Sequence, residues 1–434
     1  MLGILGGGLS GLVLASRLRD AEVLEAEPTP GGLCRSLTVE GFTFDPHGSH
    51  ILYSKDANAL AFYEDLLRDN VCRRRRNTKV FYKGRYVKYP FENGLADLPP
   101  EDNLACLLGF IEAYVARKAA LGAKPTNFRE WMYYRFGAGI TEAYLLPYNE
   151  KIWKTSAQDM GIEWVDGRVP DPPLEDVIKS SLGFSTEGYT HQLNFVYPRV
   201  GGVECLIRGV LPRVPRIRPG FRVTSVRRHG GRWIVGDGSE EQEYEDLVST
   251  IPIPDLIGAM GDAPADVRAA AAGLQHRSLV TVMVGIGRPN LNEFSWVYFP
   301  RPEDGRFNRI SFPSNFSDSV SPEGTSSAVA EITCVLGDDV WSSPDEALVE
   351  HVVERADRLG VFRRGDVVLA KVARTRHAYV VFDRAHARNL RLVKAYAAKE
   401  GIRLLGRFGQ FEYINTDQCI LRGLALAEEL QVAA

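Results

Sequence analysis

Hydrophobic and polar positions first organise the amino-terminal 25 residues. A short apolar stretch from Leu2 to Leu5 runs straight into a cluster of glycines. Apolar side chains then recur at helical spacing, at Leu12, Leu14, Ala15 and Leu18. Residues 22–25 form a second short strand-like stretch that ends in an acid. This order predicts a strand, a tight turn, a helix and a second strand.

Beyond this unit the periodicity changes several times along the chain. The predicted elements are, in order, a strand at 41–45, mostly helical structure from about 100 to 185, strands at 222–227 and 232–235 joined by a Gly-Gly hairpin turn, buried strands at 247–251 and 279–286, a strand at 402–405, and a helix from about 418 to 430. The helical patterns are clearest at 104–116 and 131–143.

Composition excludes several classes of protein. The chain has 434 residues, 45% of them hydrophobic, which is enough to bury a full core. A net charge of -3 gives no global attraction to nucleic acid or to an acidic membrane. The only dense basic run is Arg73 to Arg76, which we interpret as a solvated edge or loop.

Cysteine spacing and hydropathy indicate where the protein works. The six cysteines form no CxxC pair and lie beside no histidine cluster, so we expect neither a metal site nor a disulfide framework. The chain enters an apolar strand at Leu2 without a basic leader, and no apolar run is long enough to span a membrane. We therefore expect a cytoplasmic protein without a transmembrane segment.

The glycine cluster between the first strand and helix has the GxGxxG pattern. Gly6 permits the tight turn, Gly8 lets a pyrophosphate approach the backbone, and Gly11 lets the helix pack closely on the strand. The helix amino terminus directs N–H groups and a positive dipole end toward the phosphates. Glu25 follows where an acid can bond ribose hydroxyls. The predicted contacts with the ADP half of a dinucleotide are Gly6, Gly8, Leu9, Ser10, Gly11, Glu25 and Ala26.

A second glycine pair identifies the cofactor more closely. Gly31, Gly32 and Leu33 follow soon after the ribose acid. This arrangement is typical of FAD enzymes of the amine oxidase type, in which the pair passes beside the phosphates and the flavin. A Pro-Gly-Gly sequence is also compatible with a plain surface turn. With the rest of the chain, the pair favours FAD over a nicotinamide cofactor.

These signals predict an α/β protein with a Rossmann-like FAD-binding domain of discontinuous segments, a helical insertion and an antiparallel-sheet substrate region. The FAD-binding segments are residues 1–95, 195–255 and 400–434. Residues 96–194 are expected to form a mostly helical substrate or interaction domain, and residues 256–399 a sheet-containing substrate domain. The sequence leaves assembly into a homo-oligomer open.

Several blocks in a shared order resemble the UDP-galactopyranose mutases, in particular their eukaryotic-type branch, within the amine oxidase and protoporphyrinogen oxidase-like FAD superfamily. The blocks are residues 31–33, 48–54, 89–93, 147–153, 296–300, 309, 314–317, 406–409 and 413. The resemblance implies a mutase that interconverts UDP-galactopyranose and UDP-galactofuranose, or a related nucleotide sugar. In that family the sugar forms a covalent adduct with N5 of FAD, which NADPH or NADH must first reduce.

The resemblance also assigns roles to residues of this chain. Arg168 and Arg309 would hold the diphosphate, since guanidinium groups make permanent bidentate contacts with such oxygens. His50 would lie beside the flavin, and these three form the predicted catalytic set, with flavin N5 as the nucleophile. The predicted substrate contacts are Tyr89, Phe91, Asn149, Trp153, Arg168, Trp296, Tyr298, Arg309, Tyr379 and Tyr413.

Further FAD contacts follow from the same resemblance. They are expected at Val223, Gly406, Arg407, Tyr413, Asp417 and Gln418. The last two lie where the final helix begins, and its positive dipole end would stabilise the negative charge that reduced flavin gains at N1.

Several positions depart from the family pattern, and two other functions stay open. Glu92 replaces an expected amide, Asp417 and Cys419 alter the final helix, and His47 is added before the flavin-side histidine. One alternative is an FAD-dependent oxidase or desaturase of the amine oxidase or protoporphyrinogen oxidase type. The other is a non-catalytic FAD-binding scaffold like the Rab-escort relatives of this fold.

Overall fold

The computed structural model of the protein describes residues 1–119, 123–165, 169, 171–188 and 193–433. Its strands are β1 (Leu2–Leu5), β2 (Ala21–Glu25), β3 (Leu37–Val39), β4 (Phe42–Phe44), β5 (Val71–Arg75), β6 (Thr78–Tyr82), β7 (Arg85–Lys88), β8 (Asn194–Pro198), β9 (Arg216–Pro219), β10 (Ser225–His229), β11 (Arg232–Gly236), β12 (Glu241–Tyr244), β13 (Asp246–Ser249), β14 (His276–Ile286), β15 (Trp296–Tyr298), β16 (Arg309–Ser311), β17 (Ser326–Cys334), β18 (Val367–Val380) and β19 (Ile402–Leu404). Its helices are α1 (Leu9–Ala15), α2 (Ala57–Leu67), α3 (Pro100–Lys118), α4 (Phe128–Ile140), α5 (Leu146–Trp153), α6 (Leu174–Ser181), α7 (Cys205–Val210), α8 (Ile253–Ala259), α9 (Ala265–Ala272), α10 (Asp339–Ser342), α11 (Asp345–Arg358), α12 (His386–Glu400) and α13 (Thr416–Ala433).

The amino-terminal strands belong to a parallel sheet with the order β19, β13, β1, β2, β9 among the described residues. Strand β1 is flanked by β13 and β2, both parallel to it. Ile4 and Leu5 point to opposite faces of the sheet and are fully buried, because helices cover both faces. The prediction of a Rossmann-like α/β domain assembled from distant segments is confirmed.

Helices on one face of this sheet come from a part of the chain that we had expected elsewhere. Helices α8, α9 and α12 share an apolar core with β1, β2 and β13, which includes Leu5, Ile253 and Val393. The predicted segment 256–399 is therefore not purely a substrate domain, since its stretches at α9 and α12 cover the nucleotide-binding sheet. The apolar faces of these helices predict that they pack on a sheet, but the sequence does not indicate which one.

A second, larger sheet forms the other half of the molecule. Its order among the described residues is β18, β14, β17, β16, β15, β6, β7, with antiparallel pairing throughout except between β15 and β6. Strand β14 is buried over almost its whole length, and α11 packs on the sheet with Val352 and Ala356. The predicted antiparallel-sheet region is confirmed.

The edge of this sheet corrects the expected boundary at residue 95. Strands β6 and β7 lie within the segment 1–95 that the sequence assigns to the FAD-binding domain. They pair instead with β15 of the large sheet, through Thr78–Tyr82 against Trp296–Tyr298. Strand pairing over more than 200 residues of sequence leaves no local pattern, so the boundary could not be read from the chain.

Helices α3 to α6 form the predicted helical layer. Helices α3 and α4 approach closely because the contact is made by Gly109, Gly137 and Gly139. Gly137 has φ +72°, and a Cβ there would overlap the backbone of Gly109. The chain continues from α4 through a π turn at Thr141–Leu145 into α5.

Two further observations concern the chain as a whole. All six cysteines are free thiols, and Cys34, Cys72, Cys106 and Cys334 are buried. None of the helices within the described ranges combines the length and the apolar character that crossing a bilayer requires.

Candidate active site

The first turn of the nucleotide-binding sheet is shaped by its glycines. Gly6 has φ +102°, and its N–H donates to the Leu24 carbonyl at 2.8 Å. A Cβ on Gly11 would collide with the Gly6 carbonyl, so Gly11 lets α1 sit against the end of β1. A Cβ on Gly8, by contrast, would meet no heavy atom within 4 Å. The backbone is therefore tightly packed at Gly11, whereas the space next to Gly8 is open.

The second glycine pair lies directly against this turn. The Gly31 N–H donates to the Gly7 carbonyl at 2.8 Å, and Gly32 has φ +54°. A Cβ on Gly32 would stand 3.1 Å from Gly8 Cα. Glu25 ends β2 beside them, and its carboxylate accepts from the Gly7 N–H at 2.8 Å. Both glycine motifs and the acid therefore meet at one place.

A cavity of about 480 Å³ extends from this turn to the large sheet. This volume lies within the range typical of small-molecule and cofactor sites. Of the predicted residues, those that line it are Gly6, Gly8, Leu9, Ser10, Glu25, Gly31, Gly32, Leu33, His50, Tyr89, Trp296, Tyr298, Arg309, Tyr379, Gly406, Arg407 and Tyr413. The structure thus brings together residues that are spread over 400 positions of sequence.

One wall of the cavity is built around Arg407, which follows β19. Its guanidinium donates to the Ile414 carbonyl at 2.8 Å and 2.9 Å and to the Ala378 carbonyl at 3.1 Å. The same group lies 4.7 Å from the centre of the Tyr413 ring. Arg407 therefore braces the segment that leads into α13. The first residue of that helix, Thr416, faces the cavity and bonds the Tyr63 hydroxyl at 2.7 Å.

The segment after β4 supplies polar groups without partners. Ser49 Oγ and His50 Nδ1 are buried and make no hydrogen bond in the described structure, although both residues line the cavity. Burial, with help from the nearby Arg407 and other cations, lowers the pKa of His50 to about 3. Burial likewise lowers the pKa of His47 to about 4, and His47 Nδ1 bonds Thr375 Oγ1 at 2.7 Å. Both histidines are neutral near pH 7.

A buried ion pair stands next to these groups. Arg309 on β16 and Glu331 on β17 are direct partners across the sheet. Nε and Nη2 of the arginine donate to Glu331 Oε1 at 3.0 Å and 2.5 Å. The Glu331 side chain is fully buried, and that of Arg309 is 19% exposed. Burial opposes the charge on Arg309, but the attraction of Glu331 raises its pKa well above the usual value.

Glu331 also orders its other neighbours. It accepts a hydrogen bond from the Ser49 N–H at 3.2 Å and a long one from the Tyr379 hydroxyl at 3.4 Å. Burial and the adjacent carboxylate raise the pKa of Tyr379 well above the usual value, so its hydroxyl stays protonated. One carboxylate thus fixes an arginine, a tyrosine and the backbone beside His50.

Aromatic rings and a further arginine line the far end of the cavity. Tyr298 packs against Tyr89 and Tyr148, with ring centres 5.3 Å and 5.0 Å apart. Arg76 is 9% exposed, lies 5.3 Å from the Tyr89 ring centre and lines the cavity. Arg73 and Arg75, in contrast, are exposed and paired with Glu64 and Glu187. The basic run is a solvated edge, as predicted, except at Arg76.

Some predicted site residues lie elsewhere. Phe91 is fully buried in the core of the helical layer, and Trp153 packs behind Tyr379 and Tyr413. The Asn149 amide is used within α5, donating to the Leu145 carbonyl and accepting from Trp153 Nε1. Five other predicted residues do not line the cavity: Gly11, Ala26, Val223, Asp417 and Gln418. Arg168 lies outside the described residues.

The structure also shows where the residues that depart from the family pattern lie. Glu92 follows Phe91 in a buried turn and does not line the cavity. Burial raises the pKa of Glu92 to about 7. Cys419 lines the cavity from α13, and Asp417 accepts from the Ser54 hydroxyl at 2.9 Å.

Sequence reasoning missed Arg76, Glu331, Tyr53 and Tyr148 as lining or positioning residues. Two of them carried a usable signal. Side chains two residues apart on a strand point to the same face, so Arg76 lies on the side of Cys72, which is buried. Arg73 and Arg75 lie on the outer face. Glu331 is a lone acid inside the apolar run of β17, and an acid is rarely fully buried without a partner.

Comparisons with known proteins place this cavity in a wider context. A family profile described as an NAD(P)-binding Rossmann-like domain matches residues 4–66. A reduced UDP-galactopyranose mutase is 25% identical, covers 100% of this chain and 96% of its own, and superposes with a TM-score of 0.89. The chain has the FAD-binding oxidoreductase fold.

Two oxidases share that fold at lower identity. A protein provisionally named a protoporphyrinogen oxidase, from Exiguobacterium sp. 255-15, is 16% identical with a TM-score of 0.79, over 100% of this chain and 99% of its own. A wild-type putrescine oxidase bound to putrescine is 17% identical with a TM-score of 0.66, over 99% of this chain and 98% of its own. At these identities the likeness shows the fold alone.

The residues around the turn fit an FAD molecule. The open space above Gly8 would admit a pyrophosphate, whereas a side chain at that position would fill it. Glu25 ends β2 beside the same turn and lines the cavity, at the position from which an acid in this motif can bond ribose hydroxyls. The unpartnered Ser49 Oγ and His50 Nδ1 offer a donor and an acceptor to the polar edge of a flavin. Gly6, Gly8, Glu25 and Gly32 would hold the ADP half, and Ser49 and His50 would face the ring.

Proposed function

We propose that the protein is a flavin-dependent mutase that interconverts UDP-galactopyranose and UDP-galactofuranose, or a related nucleotide sugar. The observation that carries this proposal is the Arg309–Glu331 pair, held beside the residues that would face the flavin. A fixed guanidinium suits the oxygens of a diphosphate leaving group. A cavity for an apolar substrate or an amine gains nothing from such a cation.

Arg309 is oriented for this task by the groups that it already contacts. Glu331 occupies Nε and one hydrogen of Nη2. Among the described residues no acceptor takes Nη1, so its two N–H groups remain for ligand oxygens. Because the arginine is largely buried, its attraction for a leaving diphosphate is screened much less than at the surface. The pair carries no net charge, but it holds the Arg309 N–H donors in a fixed orientation, so they need no reorganisation to meet ligand oxygens.

Neutral donors complete the proposed diphosphate site. Burial raises the pKa of Tyr298, and its hydroxyl stays protonated and able to donate. Tyr379 is held in the same protonated state by burial and Glu331. Arg76 adds a second positive charge at the aromatic end of the cavity, where a uridine would stack on Tyr89. Arg168 is proposed to add another cation on the resemblance alone.

The role of the flavin side follows from the same geometry. Reduced FAD, when bound, supplies a nucleophilic nitrogen at N5, and we propose NADPH or NADH in the cytoplasm as its reductant. Neutral His50 avoids placing a further positive charge between Arg309 and Arg407. Ser49 lines the cavity, and its N–H donates to Glu331. These residues orient the cofactor and move no proton of the substrate.

The test compares reduced with oxidised enzyme. Purified protein would be reduced with dithionite under argon, mixed with UDP-galactofuranose, and assayed for UDP-galactopyranose by chromatography. Conversion by reduced enzyme alone, without net change in the flavin spectrum, supports the proposal. If flavin is bound and reduced but no UDP-sugar is converted, the proposal fails. Oxygen-dependent oxidation of amines and porphyrinogens would then be measured for the oxidase alternative.

Three variants test the cations. Arg309→Lys keeps the charge but loses the bidentate geometry, so we expect kcat/KM to fall by about 100-fold or more. Arg76→Ala should weaken binding of UDP by roughly 10–100-fold, the range for a charged hydrogen bond. Arg73→Ala, on the strand that ends just before Arg76, is the matched control and should bind UDP within about twofold of wild type. Equal effects of Arg76→Ala and Arg73→Ala would refute the role of Arg76.

A further inference from the structure

A buried carboxylate lies next to the cavity without being part of its lining. Asp45 directly follows β4 and is 3% exposed. It does not line the cavity, but Ser49 and His50, four and five residues further along the chain, do. Removing an ionised carboxylate from water is costly, so an acid buried this deeply needs strong partners.

Neutral donors surround the Asp45 carboxylate. Its Oδ1 accepts from the Ser36 hydroxyl at 2.8 Å and from the Val203 N–H at 3.1 Å. Its Oδ2 accepts from the Tyr197 hydroxyl at 2.8 Å, and the backbone N–H of His50 donates to the same carboxylate. Burial raises the pKa of Asp45 to about 6, and these four hydrogen bonds limit the rise. The group is therefore ionised at pH 7, and its hydrogen bonds are charge-assisted.

The four donors come from four different segments of the chain. Ser36 follows the second glycine pair, Tyr197 is on β8, and Val203 precedes α7. An ionised carboxylate has acceptor sites for all four donors, whereas an amide offers one acceptor oxygen and two N–H groups of its own. Asp45 therefore ties the segment after the second glycine pair to the segment that carries His50.

The backbone near Asp45 is shaped to admit these contacts. Gly202 has φ +66°, and a Cβ there would stand 2.3 Å from Ser36 Oγ and 2.9 Å from Asp45 Oδ1. Ser36 is also joined twice to Glu204: its N–H donates to the Glu204 carboxylate at 2.9 Å, and its hydroxyl accepts from the Glu204 N–H at 3.1 Å. The chain just before α7 is thus held against the segment that follows the second glycine pair.

Asp45 and Glu331 hold two consecutive amides of the cavity wall. Glu331, on the large sheet, accepts from the Ser49 N–H at 3.2 Å, and Asp45 accepts from the next N–H, that of His50. Ser49 Oγ and His50 Nδ1 are the buried side-chain atoms of this segment that bond nothing within the described ranges. The backbone that carries these two atoms is consequently fixed by carboxylates from two different parts of the fold.

We propose that Asp45 is a positioning residue for the flavin ring, which holds Ser49 and His50 toward the polar edge of the ring while the first glycine turn binds the ADP half of FAD. Asp45 lies outside the lining, so it acts through the segment that it holds. A residue needed only for folding would affect the binding of both halves of FAD alike. The inference rests on FAD binding and not on the proposed mutase reaction.

Separate titrations of the apoprotein with FAD and with ADP test this division. Asp45→Asn should bind FAD at least about 30-fold more weakly, because the amide loses an acceptor and turns N–H groups toward the donors. Its affinity for ADP should stay within about twofold of wild type, since Gly6, Gly8 and Glu25 are unchanged. The visible circular dichroism of the bound flavin, which reports the surroundings of the ring, should change as well.

Glu22→Gln is the matched control. Glu22 is 8% exposed on β2, accepts from the Tyr244 hydroxyl at 2.7 Å and does not line the cavity. Its loss should leave both affinities and the flavin dichroism at their wild-type values. Tyr197→Phe removes one donor and keeps the carboxylate, so it carries the test if Asp45→Asn does not fold. It should weaken the binding of FAD, but not of ADP, by about fivefold.

The outcomes separate a positioning role from a purely structural one. Parallel losses of FAD and ADP affinity in Asp45→Asn and Tyr197→Phe would show that the carboxylate serves folding alone. Wild-type FAD affinity in Asp45→Asn with an unchanged melting temperature would also overturn the proposal. A wild-type protein that binds ADP but no FAD would refute the cofactor and this role together. Failure of the mutase assay, in contrast, does not alter a binding result.

Discussion

At the scale of single residues, the two glycines that flank the start of α1 have separable tasks. A Cβ at Gly8 enters open space, and a Cβ at Gly11 collides with the Gly6 carbonyl. Gly8→Ala should therefore leave the melting temperature of the apoprotein within about 2 °C of wild type but weaken FAD binding by at least tenfold, since the methyl group occupies the phosphate space. Flavin fluorescence titration and thermal denaturation measure the two effects.

Gly11→Ala should give the opposite result in the same assays. Its methyl group separates α1 from β1, so the apoprotein itself should lose about 1–3 kcal/mol of unfolding free energy. If both variants destabilise the apoprotein equally, the space above Gly8 is not a cofactor site. If neither affects FAD binding, the turn does not hold the phosphates.

Most residues of the turn could be predicted from sequence because their roles are local. Gly6, Gly8 and Glu25 act through the backbone geometry of one short segment, which GxGxxG encodes directly. Arg309 was assigned only through resemblance, and its partner Glu331 was missed. The two are 22 residues apart and meet through strand register, which no local pattern reveals.

At the scale of elements, the crossing of α3 and α4 depends on a glycine with positive φ. Gly137→Ala adds a methyl group against the Gly109 backbone at φ +72° and should destabilise the protein by about 3 kcal/mol or more. Gly183→Ala is the control, because Gly183 has φ +86° but open space around its Cβ site. It should cost about 1 kcal/mol, the strain of the backbone alone. Equilibrium unfolding in urea measures both.

Strands and helices of this protein were predictable where periodicity is strong. The amino-terminal β1–α1–β2 unit, the β10–β11 hairpin and α13 all lie where the sequence places them. The sequence places residues 78–88 in the FAD-binding segment 1–95 and predicts no strands there, whereas β6 pairs with β15 of the large sheet and β7 pairs with β6. Which sheet a strand joins depends on which sheet edge is free for pairing in the folded chain, and a local sequence pattern does not encode this.

At the scale of the whole molecule, partly buried histidines make stability depend on pH. Burial lowers the pKa of His47, His276 and His377 to about 4 and that of His50 to about 3. Unfolded histidines bind protons below about pH 6.5, so the unfolded state takes up more protons than the folded state between pH 6.5 and 4. Folding stability should therefore decrease as the pH falls through this window.

Two buried acids oppose this trend. Burial raises the pKa of Asp45 to about 6 and that of Glu92 to about 7, so their contribution is present at low pH and lost as the pH rises toward those values. A fully buried group changes stability by up to about 1.4 kcal/mol per pH unit, and four histidines outweigh two acids. The apoprotein should melt several degrees lower at pH 5 than at pH 7. A higher melting temperature at pH 5 would contradict the burial of these histidines.

The strand order of the nucleotide-binding sheet has a consequence for synthesis on the ribosome. Strands β1 and β2 emerge first, but β13 and β19 are encoded more than 200 and almost 400 residues later. At 5–20 residues per second, β1 waits about 10–50 s for β13. During that interval the edge of β1 that later pairs with β13 is exposed to chaperones and to neighbouring nascent chains. Cofactor capture is consequently a late event, timed by translation of the carboxyl-terminal segment rather than by the motif at the start.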